Sequence, residues 1–193
     1  MNDDFIPETP EEFILVGAAE LARTNISAAM ATIRYGRVVN RWVKHELRRT
    51  SGAKCLILIG PSGTGKTSFA KSLPGYYNYF DGQWQLDIWK NFTSYSIFDN
   101  IGWDEFEEKR FPNKKHILAQ YGYFNVQHEI GVFIEINCTQ PAIVLLNQSL
   151  HEGQLGRPPI TYEEEREAKF WKEHAIIYRM GKHTFSFHPT EFI

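Results

Sequence analysis

Cysteine is scarce in this chain. The two among 193 residues, Cys55 and Cys138, sit in apolar stretches without metal-ligand spacing, which excludes a disulfide scaffold or a cysteine zinc site and suits a reducing compartment. A basic excess is also absent: 21 Lys and Arg stand against 23 Asp and Glu, for a formal charge of -2. No global positive field gathers nucleic acid, so any such contact must come from a local basic feature or a ring of subunits. No apolar run approaches the ~20 residues that span a bilayer, and the acidic start 1–5 (MNDDF) lacks the basic and apolar regions of a signal peptide. The expectation is a cytoplasmic or nuclear protein, not secreted, with no membrane partner. Internal repeats and low-complexity tracts are lacking as well.

What is present is enough for a core, with 42% hydrophobic, 15% aromatic and 23% charged residues. Thr9-Pro10-Glu11-Glu12 reads as a helix start: a capping hydroxyl, a first-turn proline and acids near the positive end of the helix dipole. Spaced apolar residues continue over 14–47 and end in the basic cluster Lys44, Arg48 and Arg49. Residues 1–49 are therefore taken as a small N-terminal helical region and 50–193 as the main domain. There the apolar runs 55–59 (CLILI), 95–98 (YSIF), 142–146 (AIVLL) and 175–178 (AIIY) read as buried strands, and 68–73 as a helix. Segments 123–126 and 132–136 flank a Gly-containing connector and predict a β-hairpin, and Thr161 caps a predicted helix to residue 172. The fold class is α/β with a mostly parallel sheet flanked by helices.

Between the first strand and the first helix lies Gly60-Pro61-Ser62-Gly63-Thr64-Gly65-Lys66-Thr67-Ser68, the P-loop pattern GxxxxGKT in its required context. Gly60, Gly63 and Gly65 let the backbone wrap phosphates, and the helix start adds the positive end of a dipole. Lys66 supplies a point charge for the β and γ phosphates of ATP, and Thr67 a hydroxyl for Mg²⁺. Asp99, ending the strand 95–98, is the expected Walker B acid and second Mg²⁺ ligand. Asn100 occupies the place where hydrolytic P-loop enzymes usually carry a second carboxylate, and an amide is a poor base, which predicts slow turnover. Asn147, after the strand 142–146, is placed to position water beside the γ-phosphate as a sensor.

These blocks, in order with 77–82 (YNYFDG) and 95–101 (YSIFDNI), resemble the superfamily 3 helicase domain of replication-associated proteins of the geminivirus and genomovirus type. Such proteins replicate small circular single-stranded DNA by rolling circle. The resemblance implies an AAA+-like P-loop NTPase that assembles as a homo-oligomer, a hexameric ring, with ATP between subunits and single-stranded DNA moved on hairpin loops. It implies a collar in 1–49, a DNA-contacting hairpin over 124–136, an arginine finger (Arg157, Arg166 or Arg179) and a host-nuclear location. The family's hairpin carries several lysines. Here His128, Glu129, Val132 and Phe133 stand instead, with Lys114 and Lys115 the nearest basic pair. Neither a His-hydrophobic-His pair nor a Tyr-x-x-Lys motif occurs, so nicking is expected from a separate endonuclease. Two alternatives stay open: a ring-forming ATP-binding relative that hydrolyses weakly or not at all, and a superfamily 3 RNA helicase.

Overall fold

A computed structural model describes residues 36–180. Strand β1 (Cys55–Gly60) is buried at all six positions. It lies between β6 and β7 in a five-stranded sheet with β2 (Tyr77–Asp81), β3 (Tyr95–Asp99), β6 (Ala142–Asn147) and β7 (Ala175–Arg179), in the order β2-β3-β6-β1-β7. Every pairing is parallel.

The continuous apolar run follows from burial on both faces, because successive side chains of a strand point to opposite sides. Cys55, Ile57 and Ile59 face one core layer together with Phe98, Val144 and Leu146. Leu56 and Leu58 face the other, with Ile97, Ile143 and Leu145. Helix α1 (Gly36–His45) and helix α2 (Lys66–Lys71) cover the second layer through Val39, Trp42, Phe69 and Ala70. Helix α3 (Lys114–Leu118), helix α4 (Tyr162–His174) and an aromatic group including Trp89, Trp103, Phe106, Phe111 and Trp171 cover the first.

The four predicted strands are present, and Thr161 caps α4 by accepting a hydrogen bond from the Glu164 N–H at 3.2 Å. Strand β2 was missed as a strand. Its sequence YNYFD carries a buried Asn78 and alternates between half-buried and buried along most of its length, the pattern of a sheet edge rather than of an apolar run. Phe80 anchors it, stacking on Phe98 at 5.3 Å and on Trp84 at 4.9 Å.

Residues 36–47, taken from sequence as the end of the helical region, pack directly on the sheet. Trp42 is fully buried and donates from Nε1 to the Lys54 carbonyl at 2.6 Å. Trp42→Ala is expected to cost about 3–5 kcal/mol, the range for an emptied aromatic site. A urea unfolding midpoint within error of the parent's would show that α1 is dispensable to the core. The remainder of the proposed collar, residues 1–35, lies outside the described residues, as does the tail from residue 181.

Strands β4 (Gly122–Glu129) and β5 (Val132–Cys138) form a separate antiparallel hairpin, longer than the segments read from sequence. Ile136 and Cys138 root it in the core while its tip stands out, with Ile130 99% and Phe133 63% exposed. Among the described residues no helix is long and apolar enough to cross a membrane.

Candidate functional site

The C-terminal ends of β1, β6 and β3 meet at one edge of the sheet, and the loop after β1 closes over it. Gly60 stands opposite Asn147 in the β1–β6 register. A side chain at position 60 is impossible without movement, since a Cβ there would lie 2.7 Å from the Met180 Cβ. Gly65 precedes α2 with φ 80, in the left-handed region that glycine enters without steric cost. Because α2 is only six residues long, the anion-binding character rests on Lys66 and the loop N–H groups more than on the dipole the sequence suggested.

Lys66 is 6% exposed. Its Nζ donates to the carbonyls of Gly60 at 2.9 Å and Pro61 at 2.8 Å, and to Asn147 Oδ1 at 3.3 Å. Thr67 Oγ1 donates to Asp99 Oδ2 at 2.7 Å, and the Tyr79 hydroxyl donates to the same oxygen at 3.2 Å. Asp99 Oδ1 accepts from the Asn100 N–H at 2.9 Å. The carboxylate is thus oriented from three sides while 6% exposed.

Ser62, Gly63, Thr64, Gly65, Lys66, Thr67 and Ser68 line an open cleft of about 310 Å³ with Asp99, Asn100 and Asn147. Of the residues expected to bind nucleotide, Gly60 and Pro61 stand behind this cleft and hold Lys66. Asn100 lines it, but its amide is tied to Asp81, with Nδ2 donating to Asp81 Oδ1 at 2.7 Å. Tyr79 and Asp81 were missed by the sequence reading. Nothing local in 77–81 points to them, because their roles come from the pairing of β2 beside β3.

The remaining candidates do not line the cleft. Arg157 makes a two-pronged pair with Glu164 at 2.7 and 2.9 Å, which pulls the Glu164 carboxyl down to about 2. Arg179 pairs with Glu152 and the Leu155 carbonyl. Arg166 is exposed on α4 and makes no ion pair among the described residues. Lys114 Nζ lies 4.2 Å over the Trp103 ring and donates to the Trp103 carbonyl, and Lys115 pairs with Glu167 at 3.2 Å. The basic pair is engaged within the chain. Burial pushes the Cys55 and Cys138 thiols up, which leaves them inert.

Burial holds the Lys66 ammonium below the usual lysine range, an effect the Asp99 charge partly offsets. Only the protonated form compensates a phosphate. If the cleft takes a nucleotide, affinity should fall as pH rises through this lowered pKa, earlier than for an ordinary lysine. In Lys66→Arg, which stays charged, that alkaline decline should vanish. Parallel titrations of both proteins at stepped pH check this; a decline shared by the arginine variant assigns it to another group. At Tyr79, burial and then the charges of Asp99 and Asp81 push the phenol well above its usual range, so it remains a donor.

The residues present could hold phosphate oxygens and a divalent cation. Among the described residues there is no cluster of three or more His, Cys, Asp or Glu able to hold a metal alone. The Thr67–Asp99 pair offers two hard oxygens, and Mg²⁺ usually combines one or two carboxylates with substrate phosphates and water. The domain is α/β, a parallel five-stranded sheet flanked by helices with the GxxxxGKT loop between β1 and α2. No family model and no curated protein matches the chain. Solved structures that resemble it include NtrX from Brucella abortus in complex with ADP, at 13% identity and TM-score 0.38, covering 93% of this chain and 43% of that one. Another is the JCV helicase bound to a thiazolopyridine acetamide, at 12% identity and TM-score 0.36, covering 84% and 53%. The chain therefore spans about half or less of the length of these two structures.

Proposed function

We propose that this P-loop domain binds ATP with Mg²⁺ and hydrolyses it as the motor of a superfamily 3 DNA helicase serving rolling-circle replication of small circular single-stranded DNA. The observation that carries the nucleotide part is the convergence of Lys66, Thr67, Asp99 and Asn147 on one strand edge. In this reading the loop N–H groups and Lys66 bind the phosphates, Thr67 and Asp99 hold the metal, and Asn147 orients water. When bound, Mg²⁺ neutralises phosphate charge as the bond to the leaving oxygen breaks. The DNA part rests on the family resemblance and on the hairpin inserted between β3 and β6. Assembly as a hexameric ring, a host-nuclear location and cooperation with a separate endonuclease belong to the same proposal.

The exposed hairpin carries Tyr123, Ile130, Val132 and Phe133 beside polar residues but no lysine or arginine, so its grip on a strand would come from base stacking rather than from phosphate charge. Phe133→Ala should then abolish stimulation of ATP hydrolysis by single-stranded DNA while leaving the basal rate intact, and Lys114→Ala should not. Steady-state ATPase rates with and without single-stranded DNA test both the proposal and this division. DNA-independent turnover in the parent would overturn the motor reading, and stimulation by RNA alone would favour the RNA helicase. The amide at position 100 supports a second reading, an ATP-binding ring that hydrolyses weakly or not at all; nucleotide binding and assembly without turnover would establish it.

A further inference from the structure

The end of β2 carries a carboxylate with no part in the scheme above. Asp81 stands in register with Asp99 on the neighbouring strand, and it receives the Nδ2 hydrogen bond of Asn100. Asn100 reaches across because its backbone takes the left-handed region, φ 54, which asparagine enters more readily than most residues. Just beyond, the Gly82 N–H donates to the Asp99 carbonyl at 2.9 Å and ties the two strand ends together. Asn100 lines the cleft and Asp81 does not. A carboxylate can only accept hydrogen bonds, so the contact dictates which end of the amide faces Asp81. Nδ2 is engaged, and Oδ1 is left as the acceptor.

We infer that Asp81 is a positioning residue for hydrolysis: it holds the Asn100 amide so that Oδ1 accepts a hydrogen bond from the water attacking the terminal phosphate. The inference rests on reading the cleft as an ATPase site. The function of a second Walker B carboxylate is thereby divided between two strands, with the charge on β2 and the amide that meets water after β3. In the step itself the water oxygen bonds to the γ-phosphorus. The bond from that phosphorus to the bridging oxygen breaks, and its electron pair leaves with ADP. One water proton stays on the attacking oxygen, now part of inorganic phosphate, and the other passes to a phosphate oxygen or to solvent, because the amide orients the water without taking a proton.

The exchange of the two side chains provides the test. Asp81→Asn keeps the shape but presents a donor as well as an acceptor, so Asn100 is no longer held one way round. Turnover should fall about tenfold or more with KM and ATP affinity unchanged, as expected when a water is misplaced but binding is intact. Asn100→Asp alone sets two carboxylates at hydrogen-bond distance and should also be slow. The double exchange, Asp81→Asn with Asn100→Asp, rebuilds the hydrogen bond with its roles reversed and points the carboxylate at the cleft. Its turnover should equal or exceed the parent's, a non-additive cycle that a merely structural contact would not produce.

Additive losses, or parental turnover in Asp81→Asn, overturn the inference. So does a parent that binds ATP without hydrolysing it, which leaves the nucleotide site standing. A parent that binds no ATP overturns the reading of the cleft itself. Should melting curves show that the exchange does not fold, Asp81→Ala decides: lower turnover at unchanged affinity supports the positioning role, and unchanged turnover removes it.

Discussion

Lys66→Ala is expected to remove measurable ATP binding. Among the described residues Lys66 is the one cation lining the cleft, and it is held there by two main-chain carbonyls and Asn147 rather than by a full ion pair. Its charge is therefore available to an incoming phosphate, which can replace the carbonyls as its partner. Deleting one member of a desolvated charge pair typically costs about 2–5 kcal/mol, a weakening of roughly 30- to 5,000-fold. The fold should tolerate the change, because a buried ammonium carries a desolvation penalty that alanine does not. Titration with a fluorescent ATP analogue, beside a thermal melt, separates the two effects. Equal affinity in variant and parent would sink the P-loop reading; lost affinity together with a collapsed melting temperature would not count for it.

Much of the frame that positions this lysine is legible in the residues. The run 55–60 declares a strand buried on both faces, and GxxxxGKT directly after it declares the turn and the helix start. Asp99 and Asn147 are readable because each follows an apolar run of strand length, and in the sheet both runs end at the P-loop edge. The contribution of β2 was not readable in the same way. Tyr79 and Asp81 matter through partners 20 and 19 residues away, and nothing local in YNYFD states that the strand lies beside β3 rather than elsewhere. The side-chain bond of Asn100 is hidden for a related reason: it depends on a left-handed backbone turn at a non-glycine position. The arginine candidates show the converse limit. The family resemblance offers Arg157 and Arg179 as finger candidates, whereas the structure gives each a carboxylate partner within the chain.

The second large effect is expected at Asp99. In Asp99→Asn the local structure should survive, because the neighbours it would offend can adapt. The main-chain N–H of Asn100 still finds an oxygen, and the hydroxyls of Thr67 and Tyr79, now donors to Oδ2, can rotate to accept from the new amide. What is lost is the negative charge, and with it a hard anionic ligand for Mg²⁺. Turnover should drop on the order of 10³-fold, since metal-borne charge stabilisation in such reactions amounts to several kcal/mol. Affinity for ATP in EDTA should hold or rise slightly, because a carboxylate near the phosphates repels them. The gain in affinity on adding Mg²⁺ should disappear. A further sign follows from the coupling between Asp99 and Lys66: the aspartate charge raises the Lys66 pKa, so its removal should move the alkaline decline in affinity to lower pH. Calorimetric titrations of parent and variant, with and without Mg²⁺ and at two pH values, measure all of these together. Parental hydrolysis in Asp99→Asn, with the Mg²⁺-dependent gain in affinity retained, would mean that the metal is held by another oxygen and that position 99 has been given the wrong role.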